Sequence, residues 1–450
     1  MAIPLVLIHG YASGSGAFGT WKAALEKAGR AVTDMYIGNY VTLNNEVAVD
    51  DIANGFEYAL QQKGLDGKPF DAIVHSTGML VLRSWLTNTN APPDRHKLLK
   101  HLIGLAPATF GSPIAAKGRS LLGRIFIGSK DILGPDFLES GNLVLNNLEL
   151  GSEFTWDLAH KDLIDQKLYG TGNDTPYVFI FDGTNDYGFL AEIFDGADQE
   201  GSDGVVRWSG VALNTRKINL NLGVPEKGVQ WSDWSNLLNI PMIPIAGVHH
   251  NQIMSVPPQG LIDLVLEALN VNSKDDFDKF HNTTVANSDV VAKGRAKQKG
   301  STWQQFVVHA VDNHGTPITD YSIEILAKSA DGKSEVSLSS FEADVHPYAA
   351  DNSFRCFHVR LDGLAEKLQG KRLAVRIIAN TGTKLVGYQG YCAGKAQDAS
   401  PEVGIELDLS SYDGSNTNNP TLFYPYTTTL IEIILNRVPL PPVDIFTFPA

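Results

Sequence analysis

Up to about residue 270 the chain alternates short apolar runs with amphipathic stretches; past residue 300 it reads as strands alone. "PLVLIHG", "AVTDMYI", "FDAIVHS", "KHLIGLAPA", "TPYVFIFDG" and "IPMIPIAG" have the length and unbroken apolarity of buried strands. "TWKAALEKAG", "VAVDDIANGFEYALQQKG", "GMLVLRSWLTN" and "GLIDLVLEALN" carry apolar residues at helical spacing. Strands buried on both faces and separated by helices predict an α/β domain, a mostly parallel sheet covered on both sides, over residues 1–272. The interval 114–174 breaks the rhythm. It reads as a helical insertion, packed on the domain or acting as a lid over an apolar cleft. Within it Lys117, Arg119 and Arg124 mix with Leu, Ile and Phe, a composition suited to local membrane contact.

Residues 273–300 are rich in Asn, Lys, Asp and Ser and read as a linker. From 301 to 450 runs such as "WQQFVVHAVD", "YSIEILAKS", "FRCFHVRL", "RLAVRIIAN" and "TLIEIILNR" are punctuated by Gly, Asn, Asp and Pro, which predicts an all-β, sandwich-like domain. Trp303, Phe306, Phe446 and Phe448 are its candidate aromatic anchors. The ending "VPLPPVDIFTFPA" cannot be helical and is expected to dock on its own domain or on a neighbouring subunit.

Charge removes several function classes. Against 50 Asp and Glu stand 36 Lys and Arg, a net charge of −14. Nucleic-acid phosphates would be repelled, so no nucleic-acid partner is expected. The two cysteines, Cys356 and Cys392, are too few for a disulfide framework and are expected as free thiols. Ile3–Ile8 is short and lacks a basic leader, so no signal peptide is expected. No run approaches the ~20 apolar residues of a membrane span.

The chemistry centres on Val74-His75-Ser76-Thr77-Gly78, set between a strand and a helix. A turn there lifts a serine oxygen above the sheet edge, with the Thr77 amide facing any oxyanion. A second amide would come from Tyr11, after the strand that ends in His9-Gly10. Gly14-Ser-Gly16-Ala-Phe-Gly19 also fits the dinucleotide pattern G-x-G-x-x-G, but its first glycine falls too far beyond the strand for that turn. In G-x-S-x-G terms Val74 replaces the first glycine and calls for wider packing between strand and helix. A Ser…Asp…His order then requires an acid and a base further on. The spacing in "IPIAGVHHNQIM" favours His250 over His249. For the acid, Asp203 in "GSDGVVRW" is favoured, with Asp186 in "FDGTNDYG" as the alternative. No metal-ligand spacing occurs, and neither a metal nor a cofactor is expected.

Val-His-Ser-Thr-Gly resembles the Thr-His-Ser-Thr-Gly signature of the bacterial PlaB-type phospholipase A/lysophospholipase A family, within the α/β-hydrolases. "GSDGVVRW" and "HNQI" are similar to that family's acid and histidine motifs, with Val74 and Asn251-Gln252 as departures. The resemblance covers nearly the whole chain. It implies an α/β-hydrolase domain followed by a β-sandwich-like domain, with a triad of Ser76, Asp203 and His250. It also implies hydrolysis of phospholipid and lysophospholipid esters, cytoplasmic synthesis in a bacterium, peripheral membrane association and homo-oligomers. A general carboxylesterase, lipase or thioesterase is the alternative, followed by a non-catalytic lipid-binding scaffold.

Overall fold

The computed structural model describes residues 3–10, 16–35, 47–88, 94–117, 142–171, 174–187, 200–224, 229–232, 242–285, 288–298, 302–392, 395–412 and 421–441. Its first sheet is built from the runs that the sequence marks as buried strands. They are β1 (Leu5–Ile8), β2 (Val32–Met35), β3 (Phe70–His75), β4 (Leu99–Leu105), β5 (Tyr177–Gly183) and β8 (Met242–Ile245). Their order is β2-β1-β3-β4-β5-β8, and every pairing is parallel. Every residue of β1 and β3 is buried, as a sheet covered on both faces requires. Helices α1 (Gly19–Lys27), α2 (Val49–Gln62) and α3 (Gly78–Thr87) connect the first strands. The chain runs outward from β1 to β2, then returns to β3 on the other side of β1. The loops after β1 and β3 therefore diverge at a topological switch point, where open α/β sheets place their clefts.

Two compact units emerge. The first is Met1–Thr215, Trp234–Gly300 and Tyr426–Thr428; the second is Arg216–Asp233, Ser301–Pro425 and Thr429–Ala450. Among the described residues the second holds two larger antiparallel sheets and a two-stranded one, Tyr391–Cys392 with Lys395–Ala396. One larger sheet is β11-β10-β14-β18 (Glu335–Ser337, Tyr321–Lys328, Arg372–Asn380, Glu402–Asp408). The other has β12 (Glu342–Pro347), β13 (Phe354–Arg360), β9 (Trp303–Asp312), β19 (Thr428–Pro439), β6 (Thr215–Asn221) and β7 (Val229–Trp231) in that order, with β15 (Val386–Gln389) also on β19. Their apolar side chains share one core that includes Ile218, Phe306, Phe357, Ile377 and Ile405. Trp303 is fully buried, whereas Phe446 and Phe448 lie outside the described residues. Cys356 is a buried free thiol.

Two boundaries differ from the sequence reading. Residues 216–233, expected in the first domain, supply β7 and nearly all of β6 to the second. The expected linker 273–300 instead forms helices Lys274–Lys279 and Asp289–Gln298 in the first unit. Phe277, Phe280, Val285 and Val291 are buried there, so a polar composition conceals an apolar face at helical spacing. Within the insertion, residues 142–171 pack on the domain. Trp156, Leu158 and Leu163 are buried, and Asp162 forms a fully buried ion pair at 2.7 Å with Arg83 of α3. Arg119 and Arg124 lie outside the described residues, and among the described residues no helix is long and apolar enough to cross a membrane.

Candidate active site

Ser76 follows β3 with φ of +53°, a left-handed conformation uncommon for a residue with a side chain. Hydrogen bonds hold the bend on both sides. The Ser76 N–H donates to Leu105 O at 3.3 Å, and its carbonyl accepts from Met79 N and Ala108 N, each at 3.1 Å. Two glycines let β1 close against this bend. A Cβ on Gly78 would lie 2.7 Å from Ile8 O, and one on Gly10 would lie 2.6 Å from Ser76 Cβ. Val74 pairs in register with Gly104 of β4, where a Cβ would meet Ile180 at 2.8 Å and Met79 of α3 at 3.2 Å.

Asp203 and His250 lie on two later loops. His250 and Asp203 are both fully buried, with His250 Nδ1 2.6 Å from Asp203 Oδ2. The His250 N–H also donates to the Asp203 carbonyl at 3.3 Å. The other carboxylate oxygen, Oδ1, accepts the Val205 and Val206 N–H groups at 2.9 Å each. Burial alone would raise the Asp203 pKa. The His250 charge and hydrogen bond, the Val206 N–H and the Asp182 side chain outweigh it and bring the carboxyl below its ordinary value. The Nδ1 proton therefore sits toward Asp203, and Nε2 carries the lone pair.

His75 ties this pair to the serine bend. Its ring Nε2–H donates to the His250 carbonyl at 3.0 Å, and the two rings are 4.8 Å apart. Burial, followed by the neighbouring His250 charge, pushes the His75 pKa well below its ordinary value, which keeps it a neutral donor. The residue before Ser76 thus holds the backbone of the histidine loop, and both loops lie at the carboxyl end of the sheet.

The alternatives fall elsewhere. His249 packs on the Tyr187 ring with centroids 4.1 Å apart, and the Asp186 side chain is exposed. Thr77 is buried at the N-cap of α3, where helix amides lack intrahelical acceptors. Tyr11 lies outside the described residues, as does Gly14. A Cβ on Gly16 or Gly19 would have nothing within 4 Å, so neither position demands glycine sterically. A second buried Asp–His pair, Asp71 with His101 at 2.7 Å, differs in kind. Its free ring nitrogen is bound at 2.7 Å to the Val271 carbonyl, near the opposite end of the strands. Sequence reasoning quoted His75 and Gly10 within their motifs but did not foresee the His75 bond to the His250 carbonyl or the close approach at Gly10.

No family model matches the chain, and no curated protein matches it by sequence. Among solved structures it is similar to phospholipase PlaB from Legionella pneumophila, with a TM-score of 0.72 and 21% identity over 97% of this chain and 94% of that one. The same phospholipase in complex with thio-NAD gives a TM-score of 0.71 at 21% identity, with the same coverage. The mature lipase BlEst2 from Bacillus licheniformis gives 0.38 at 17% identity, over 59% of this chain and 91% of that one. The chain has a parallel six-stranded sheet followed by an antiparallel β region, the fold of that phospholipase along nearly its whole length.

Proposed function

We propose that the chain is a serine hydrolase that cleaves acyl esters of glycerophospholipids and lysophospholipids. The observation that carries this reading is the buried Asp203–His250 pair, bonded at 2.6 Å and held by His75 beside the serine bend. In the proposed reaction, His250 Nε2 takes the Ser76 proton as Oγ attacks the acyl carbonyl. The Thr77 and Tyr11 amides receive the oxyanion, each contributing about 3 kcal/mol of transition-state stabilisation in sites of this kind. Imidazolium, stabilised by Asp203, protonates the leaving glyceryl oxygen. Water, deprotonated by the same histidine, then releases the fatty acid from the acyl-enzyme. The chemistry requires neither metal nor cofactor.

Two observations support a lipid substrate: the Val-His-Ser-Thr-Gly motif, and a fold shared with a phospholipase. The test is release of fatty acid from phosphatidylcholine, lysophosphatidylcholine, triacylglycerol and an acyl-thioester by wild-type and Ser76→Ala protein. The proposal expects turnover of the first two substrates and none in the variant. Turnover confined to triacylglycerol or thioester would replace it with the lipase or thioesterase reading. The same reading carries peripheral membrane contact and self-association, tested by flotation with vesicles and by light scattering.

A further inference from the structure

One cavity takes no part in that chemistry. It lies between the two larger sheets of the second unit, and every residue that lines it belongs to that unit. One wall carries Ile323 and Ile325 of β10, which pair across the ladder with Ile377 and Val375 of β14. The other carries Phe306 of β9 opposite Phe357 of β13. Ile323, Ile325, Glu342 and, on β19, Ile431 are partly exposed and mark where the cavity reaches the surface.

The space that a water-sized sphere can enter measures about 60 Å³. One water needs about 10–15 Å³ of such space, so about four to six groups of that size fit. Sheets packed face to face stand about 10 Å apart, so the gap between their side chains is thin and suits an unbranched chain. A cavity with hydrocarbon walls stays dry, and its lining lacks the contacts that a close-packed interior makes. Methylene groups would restore those contacts.

Glu342 is the one carboxylate in the lining. It opens β12 and pairs with Val359, which also lines the cavity. Cross-strand partners share a face of the sheet, so β12 brings a carboxyl to the apolar side. Burial, followed by the Glu324 charge, pushes its pKa up to about 7. Among the described residues no cation acts on it. An anionic end group would therefore meet like charge from Glu342 and Glu324. A hydroxyl donates to a carboxylate and accepts from a carboxyl, so it suits Glu342 in either protonation state.

We propose that the second unit binds an unbranched alcohol, with the alkyl chain between the sheets and the hydroxyl at Glu342. The site goes beyond the reading of Ser76 as a nucleophile and does not rest on it, because binding needs no turnover.

Calorimetric titration of the full chain at pH 8 with 1-hexanol, 1-octanol and octanoate tests the proposal. Both alcohols should saturate one site. Octanol should be the tighter by up to about fourfold per added methylene, the equivalent of about 0.8 kcal/mol. Octanoate should bind at least tenfold more weakly than octanol, and Glu342→Gln should narrow that gap. Ile323→Phe fills the cavity and should abolish binding, with hydrolysis of a soluble short-chain ester unchanged. Ile431→Phe fills it from the facing sheet and serves as the second variant, with the fold of each checked by circular dichroism. Three results would overturn the proposal: no saturable binding, octanoate as tight as octanol, or binding that survives in folded Ile323→Phe and Ile431→Phe proteins. The last would place the chain elsewhere, as in the cleft at Ser76. Loss of hydrolysis in Ser76→Ala tests the catalytic reading separately, so a fault in one is distinguishable from a fault in the other.

Discussion

Gly10→Ala probes the meeting of β1 and the serine bend. The new methyl carbon would lie 2.6 Å from Ser76 Cβ, 3.0 Å from the His75 carbonyl oxygen and 3.2 Å from Ser76 Oγ. Carbon atoms settle at about 3.5–4.0 Å, so roughly 1 Å of separation has to be found. Little near the contact can yield. The bend is fixed by three backbone hydrogen bonds to Leu105, Met79 and Ala108, and β1 is paired with β3 through Ile8 and Val74. The displacement therefore falls between the nucleophile and the loop that would carry the Tyr11 amide. Overpacking of this kind costs about 1–3 kcal/mol of stability. A misplacement of about 1 Å at a reacting centre costs about 100-fold in rate. The assay is kcat/KM on a soluble short-chain ester, with thermal unfolding followed by circular dichroism. Gly16→Ala and Gly19→Ala are the controls, since a Cβ there meets nothing within 4 Å. A Gly10→Ala protein with wild-type activity and melting temperature would refute the steric reasoning. Equal losses in the two controls would instead revive a phosphate-binding role for the glycine-rich loop.

Asp203→Asn should lower kcat by about 10⁴-fold, the cost of giving a triad histidine the wrong tautomer. Asp186→Asn should stay close to wild type, and the reverse order would make Asp186 the acid. His281, packed among Phe179, Phe277 and Phe280, has its pKa lowered to about 4, chiefly by burial. Unfolded His281 takes a proton below about pH 6.5 while the folded form stays neutral, so its stability contribution is complete above that pH. About 3 kcal/mol of it is lost as pH falls toward 4. His281→Phe should remove that slope in urea unfolding at pH 7 and pH 4.5; an unchanged slope would contradict it. Asp162→Asn leaves the fully buried Arg83 guanidinium without its counter-charge and should cost about 3–5 kcal/mol in the same assay.

Much of the first unit was legible because a sheet buried on both faces leaves unbroken apolar runs. β1, β3, β5 and β8 fall within stretches read as strands, and β4 begins one residue before its stretch. Their register was hidden. That Val74 faces Gly104 depends on how β3 and β4 pair, which local pattern does not record. The strands at 215–231 were illegible for a related reason, since period and composition identify a strand but not the sheet it joins. In 273–300 the few apolar residues, among them Phe277, Phe280 and Val291, are widely spaced in a polar segment that looks like linker until its helical period is counted. At the site, Ser76, Asp203 and His250 stood out because each sits beside a glycine or a strand end in a short motif. His75 makes a contact that only the fold creates.

The central claim is that the Ser76 hydroxyl is a nucleophile activated by His250. Labelling with a fluorophosphonate, followed by peptide mass spectrometry, tests it most directly. The account predicts a single stoichiometric adduct on Ser76, greatly slowed in His250→Ala and absent in Ser76→Ala. An adduct at another residue, or lipid hydrolysis that persists in Ser76→Ala, would contradict it.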